Sequence, residues 1–262
     1  MAGLLGKRRW KNSYMASTSK TLPARPPDRH PSELARAGAE FAGTFFLTLV
    51  AAGADIIHYA SQGEILQSSR YLAPGFVIAA MIWALSNTSG AHLNPAVTLA
   101  FVIRRTFPIL RALYYWIAQF GGAIAAAGVL TLYFGDAIAQ GATKPGLGIT
   151  GWQAAGWEAI LTLLLVMVII GTADAEAVVG KNAALAVGLT VALCGLFSNP
   201  LTGSSMNPAR SFGPQLLGGM LNVSWIYFLG PLVGAVAACG VSYLLFGAPR
   251  ESEHDAAHGK HA

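Results

Sequence analysis

Charge is scarce in this sequence. Of its 262 residues only 11% are Asp, Glu, Lys or Arg, where ordinary soluble domains carry roughly 25%. Cysteine is nearly absent as well. Cys194 and Cys239 both fall inside apolar stretches, with no second cysteine or histidine at metal-ligand spacing. A disulfide framework is therefore not expected, and both read as packing residues. No apolar h-region follows the basic run Lys7, Arg8, Arg9 and Lys11, so no cleavable leader is expected either. The sequence also lacks a nucleophile–base pair, a metal-ligand set and a phosphate loop. It thus offers no candidate catalytic residue and no metal site. His254, His258 and His261 near the end read as a solvated tail without a fixed scaffold.

What the chain does have is apolar residues, 54% of the total, gathered into long blocks. Six of these read as spans: Ala37–Ile57, Tyr71–Ser86, Ala112–Phe134, Ala154–Ala173, Ala183–Asn199 and Asn222–Phe246. A helix needs about 20 mostly apolar residues to cross a hydrocarbon core of about 30 Å. The net charge of +5 then becomes a statement about orientation. Eight of the 17 Lys and Arg lie in the first 36 residues. With an even number of spans, Arg104, Arg105, Arg111, Lys181, Arg250 and Lys260 share that side, whereas Arg70 and Lys144 lie opposite. The positive-inside rule then puts both termini in the cytoplasm. It leaves no reason to invoke a nucleic-acid partner.

The chain repeats itself. Glu40 to Leu47 and Glu158 to Leu165 both read E-x-x-x-T-x-x-L. Ser89-Gly-Ala-His-Leu-Asn-Pro-Ala-Val97 after the second span matches Thr202-Gly-Ser-Ser-Met-Asn-Pro-Ala-Arg210 after the fifth. Gln119-Phe-Gly-Gly-Ala123 in the third answers Pro231-Leu-Val-Gly-Ala235 in the sixth. Three spans per repeat is an odd number, so the second copy enters the membrane from the opposite face. Sites in such inverted repeats lie at the repeat interface near the midplane.

Each Asn-Pro-Ala opens a short apolar stretch, 94–103 in one copy and 207–217 in the other. At 1.5 Å per residue each is roughly 15 Å long, about half the bilayer core. Asn is a good N-cap and Pro suits the first helical position. Asn94, Pro95 and Ala96 thus predict one half-helix, and Asn207, Pro208 and Ala209 a second. Dipping in from opposite faces, they would meet at the asparagines. Two facing N-termini, each worth about half an elementary positive charge, would oppose cations and protons. Irregular backbone before each cap is tolerated at this depth only if it lines a cavity or is buried by protein.

These motifs, together with Asn207-Pro-Ala-Arg-Ser-Phe-Gly213, resemble the aquaporin and glycerol-channel family from about residue 34 to residue 247. The resemblance implies an all-α membrane protein of six transmembrane helices and two re-entrant half-helices in an inverted repeat. It also implies passive transport, no cofactor and a homotetramer of independently conducting protomers. Its partners would be water, small uncharged solutes and the lipid bilayer. Glu40 and Glu158 would accept hydrogen bonds from the loops before the half-helices, and His92 would belong to the pore wall. The selectivity constriction of the family, counted without gaps, falls at Pro74, Gly195, Ser204 and Arg210. An arginine in the membrane is a functional hypothesis by default. Glycerol channels of the family usually flank such a Gly with two aromatics, and here neither is present unless Phe76 swings in; small side chains at three corners imply a broader gate. Ser211 after the arginine, the Tyr227-Phe228 pair and the short loops resemble the water branch. Water is therefore the first expected solute, followed by small polyols such as glycerol, urea and neutral metalloid hydroxides.

The expected organisation is a disordered basic cytoplasmic arm (1–35), a first repeat (36–134), an extracellular connecting loop (135–152), a second repeat (153–247) and a disordered cytoplasmic tail (248–262). A multi-pass location in a bacterial inner membrane or a plasma membrane follows from the spans. A secondary transporter for a small neutral solute remains open, since such proteins also use inverted repeats and broken helices. A non-conducting structural membrane protein is the other alternative.

Overall fold

The computed structural model describes residues 31–173 and 182–259. Most of the expected basic arm, up to residue 30, and Lys181 lie outside the described residues. Ten α-helices are found among them: α1 Glu33–Ala60, α2 Gln67–Ser89, α3 Pro95–Ile103, α4 Ile109–Phe134, α5 Ile138–Gly141, α6 Gly151–Thr172, α7 Ala183–Thr202, α8 Pro208–Leu217, α9 Ser224–Phe246 and α10 Glu251–His258. Among the described residues six helical segments are long and apolar enough to cross a membrane, and each overlaps one of the spans expected from hydropathy. The first starts slightly early, because Ser32 caps α1 by accepting from the Ala35 amide at 3.1 Å.

The repeat is visible in where the helices touch. α2 and α7 meet back to back at Gly75 and Gly188, where a Cβ on either residue would run into the backbone of the other helix. In the first repeat α1 lies against α4 at Gly122, whose Cβ position is taken by the Phe41 carbonyl. In the second, α6 lies against α9 at Gly234, blocked in the same way by Ala159. Such close approaches let dispersion hold helices together where lipid removes the hydrophobic drive. Much of the outer surface stays apolar, with Leu113, Ile117, Leu132, Leu189, Leu193 and Val236 all exposed.

Two expectations need correction. The connecting segment 135–152 is not wholly loop: a 3₁₀ turn (Gly135–Ala137) leads into the four-residue α5, anchored by the buried Ile138. The described part of the tail, 248–259, is not a disordered segment; Lys260 and His261 lie outside the described residues. Its residues Glu251–His258 form α10, in which Glu253, Ala257 and His258 are buried. The composition of that stretch reads as solvated, but its polar groups find partners far away in sequence. Glu253 takes a bidentate pair from Arg104, at 2.9 Å from Nε and 2.7 Å from Nη2.

Candidate functional site

The two Asn-Pro-Ala segments are built alike. Asn94 caps α3 through its Oδ1, which accepts from the Ala96 amide at 2.9 Å. Asn207 caps α8, accepting from Ala209 at 3.0 Å and Arg210 at 3.2 Å. Each asparagine then reaches across to the other copy. Asn94 Nδ2 donates to the Met206 carbonyl at 2.8 Å, and Asn207 Nδ2 donates to the Leu93 carbonyl at 2.8 Å. The half-helix tips are thus tied together by reciprocal bonds. An amide NH₂ has two hydrogens, so each Asn keeps one that the cross-bond does not use.

The backbone leading into each cap is unusual. Ala91, Leu93, Ser204 and Met206 all have positive φ, between 43° and 54°, each costing of order 1–3 kcal/mol. Gly90 and Gly203, at φ 87° and 81°, take the first such position, where a side chain would be strained. Two buried carboxylates hold this backbone. Glu40 accepts from the His92 and Leu93 amides at 2.9 and 2.7 Å, from Ser89 Oγ at 2.7 Å and from Gln119 Nε2 at 2.8 Å. Glu158 accepts from the Ser205 and Met206 amides at 2.9 and 2.7 Å and from Thr202 Oγ1 at 2.6 Å. Both are fully buried, and every partner donates to them. Tyr115 and Tyr227, unremarked as braces in the sequence, complete the scaffold: their hydroxyls donate at 2.7 Å to the Ser89 and Thr202 carbonyls.

One cavity of about 680 Å³ is walled by both tips. Asn94, Asn207, His92, Pro74, Gly195, Ser204 and Arg210 all line it, as do Leu47 and Leu165 from the repeated E-x-x-x-T-x-x-L motif. Pro95, Ala96, Pro208 and Ala209 stand behind the wall as buried helix starts. Arg210 is 6% exposed, and among the described residues nothing accepts from its Nη1. Ser204 Oγ lies 2.7 Å from Ser198 Oγ and donates to the Cys194 carbonyl at 3.1 Å. Gly195 is small for a second reason, since a Cβ there would stand 2.8 Å from the Tyr71 carbonyl oxygen. Phe76 is 61% exposed on the outside of α2 and does not line the cavity, so it does not supply the missing aromatic. Tyr71 does line it, beside Asp55 and Arg70, which form an ion pair at 3.0 Å. An ionisable pair near the ends of two apolar helices is the signal by which this mouth was detectable.

Comparison with known proteins decides the family. The model of the major intrinsic protein family matches residues 29–243. The chain belongs to the major intrinsic protein family. Curated relatives of this major intrinsic protein include aquaporin NIP2-1 of Zea mays, 38% identical over 219 residues that cover 82% of this chain and 73% of that protein. Another is aquaporin NIP1-1 of Oryza sativa subsp. japonica, 41% identical over 201 residues, 76% of this chain and 70% of that one. Among solved structures, the aquaglyceroporin from Plasmodium falciparum superposes with a TM-score of 0.72 over 80% of this chain and 96% of that chain, at 24% identity. That likeness concerns the fold. The named relatives are plant proteins, so nothing in the comparisons supports a bacterial membrane for this major intrinsic protein.

Proposed function

We propose that this chain is a passive membrane channel for water and small uncharged solutes that turns back ions and protons. The observation carrying this reading is the pair of half-helix N-termini, α3 and α8, tied nose to nose by Asn94 and Asn207 on the wall of one continuous cavity. The positive ends of both dipoles converge there. The two asparagines offer N–H donors to a passing oxygen, and Arg210 adds a full charge on the same wall. A water molecule or hydroxyl meets donors that satisfy it; at the junction a cation meets the positive ends of both dipoles and the Arg210 charge. Pore diameter, lining donors and opposed half-helix dipoles are the handles by which channels of this kind select.

Pro74, Gly195, Ser204 and Arg210 form the constriction in this proposal, and only the last brings a large side chain. Small corners favour a gate wide enough for polyols and urea as well as water. His92 lines the half of the cavity that faces α10. Arg36, Arg104, Arg105, Arg111 and Arg250, gathered at the end where α1 begins, support a cytoplasmic location for both termini. The exposed leucines and isoleucines of the outer faces suit contact with lipid and with neighbouring protomers in a homotetramer.

Purified protein in liposomes exposed to an outward osmotic gradient should shrink them faster than empty liposomes do. Glycerol and urea gradients should show re-swelling as those solutes enter. A dye sensitive to internal pH should stay silent under a proton gradient. Water flux no faster than in empty vesicles would refute the channel. Saturating, steeply temperature-dependent flux would instead favour the transporter alternative.

A further inference from the structure

The helix α10 has no part in the channel described so far, yet it sits on one end of the cavity. Ala256 lines that cavity together with Ser86, Asn87 and Gly90, and the neighbouring Ala257 is fully buried. The contact is close. A Cβ on Gly90 would stand 2.6 Å from the Ala257 carbonyl oxygen and 2.8 Å from that of Ala256. His92, which stands two residues before Asn94, donates from Nε2 to the Ala257 carbonyl at 3.0 Å, while its Nδ1 lies 3.1 Å from Thr98 Oγ1. A pore-wall side chain thus spends its polar edge on the tail.

Three arginines from three separate elements fasten the helix. Arg104 at the end of α3 makes the bidentate pair with Glu253, both side chains at most 6% exposed. Arg36 of α1 donates to the His258 carbonyl at 2.5 Å. Arg111 of α4 donates to His258 Nδ1 at 2.7 Å and pairs with Glu33 at 2.7 Å. By contrast, the link back to α9 is only residues 247–250, entered through Gly247 at φ 76°. These fastenings are polar; beside them Ala257 packs in a small apolar cluster with Phe107 and Tyr115, and Ala256 faces the cavity.

We infer that α10 is a plug: it closes the end of the cavity at which α1 begins, and its release opens the channel. The physical basis is a seat with two satisfied states. Seated, the Arg104 and Glu253 charges neutralise each other out of water. Released, both are hydrated at the rim, and the burial cost of an ion pair makes the two states close in free energy. A bistable element of this kind shifts its population with modest perturbations. A plug favoured roughly tenfold over its released form leaves about one channel in eleven open.

The test compares the full chain with a variant ending at Gly247 and with Glu253→Lys, which sets a like charge against Arg104. Each is reconstituted in liposomes at equal protein density, and water flux is normalised to folded protein. Both variants are expected to conduct up to about tenfold faster than the full chain. Unchanged or slower flux in a folded variant would overturn the plug and leave α10 a structural cap.

The inference rests on the channel reading for this flux arm, so a second arm is independent of conduction. Ser86→Cys places a thiol on the cavity wall beneath α10, against a quiet background because Cys194 and Cys239 are buried. A membrane-impermeant thiol reagent applied from the α10 side should label it roughly tenfold more slowly in the full chain than in the shortened one. Equal labelling rates would refute the plug even if no variant conducted; in that event the channel reading would fail separately, through the flux of the shortened chain.

Discussion

Replacing Glu158 by Gln removes one charge and one acceptor while leaving the shape intact, and its effect follows from the bonds it breaks. Oε1 accepts from Thr202 Oγ1 and the Ser205 amide, and Oε2 accepts from the Met206 amide. In Glu158→Gln an NH₂ replaces one oxygen. The less damaging orientation keeps the first two bonds and turns an N–H toward the Met206 amide, donor against donor. A hydrogen bond to a charged group is worth about 1.5–3 kcal/mol, and a stranded buried donor costs about 1–3 kcal/mol. Together with the weakening of the remaining bonds, the loss is about 3 kcal/mol. At roughly 2–4 °C per kcal/mol for chains near this size, the unfolding midpoint in detergent should fall by about 6–12 °C. Flux should drop as well, because Met206 also accepts from Asn94 and its displacement loosens the meeting of the two tips. Glu40→Gln should behave similarly, with Ser89 and Gln119 as the additional partners at risk. An unfolding midpoint within a degree of the parent for both variants would refute the idea that these carboxylates hold the loops.

Gly234→Ala, whose new methyl would meet the Ala159 carbonyl, should cost about 1–3 kcal/mol by overpacking; a lowered unfolding midpoint checks it, and an unchanged one would mean that α6 and α9 are not pressed together there. Gly195→Ala should narrow the path only by forcing α2 away from α7, since the methyl points at Tyr71. A fall in stability should therefore accompany any change in the glycerol-to-water flux ratio. Arg210→Ala removes the positive charge that stands three residues past Asn207 on the cavity wall; raised proton or cation leak in a dye assay is expected, and tight vesicles would show that the dipoles suffice.

Long apolar blocks and a twice-used motif made the membrane helices and both half-helix starts legible in the sequence, because each depends on residues close together in the chain. Asn94 and Asn207 announce their caps within three residues. The two glutamates were legible as a pair through the repeat, even though their acceptor roles need loops about fifty residues away. What escaped is whatever depends on one distant partner without a repeat to signal it. The sequence of α10 contains no apolar face that periodicity would detect, and its place is set by Arg36, His92, Arg104 and Arg111. Phe76 looked available to the pore, but the rotation of α2 is fixed by the Gly75–Gly188 contact, which turns it outward. The same contact face explains why Gly195 is small irrespective of any solute.

The two halves share a frame but not its filling, and this difference is where the chemistry of the channel is set. Each loop presents its carbonyls through positive-φ residues, and each is held by one glutamate and one tyrosine. At the position where the first repeat puts Gln119, bonded at once to Glu40 and to Thr98 Oγ1 at 3.1 Å, the second has Pro231, which has no side-chain donor. Where the first has the imidazole of His92, stacked on Phe101 at 4.7 Å and flanked by Phe107 and Tyr115, the second has Ser205, bonded to the Asn207 carbonyl at 2.9 Å. A bulky, aromatic-braced ring thus walls one half of the path, and small hydroxyls with an arginine wall the other. An inverted repeat with identical fillings would have no preferred end for a filter. The asymmetry supplies one: charge and hydroxyls gather beside α8, whereas the half beside α3 ends in the alanines of α10. On the proposed filter and plug, solute choice and closure would fall at opposite ends of the same cavity, each alterable without disturbing the asparagine junction between them.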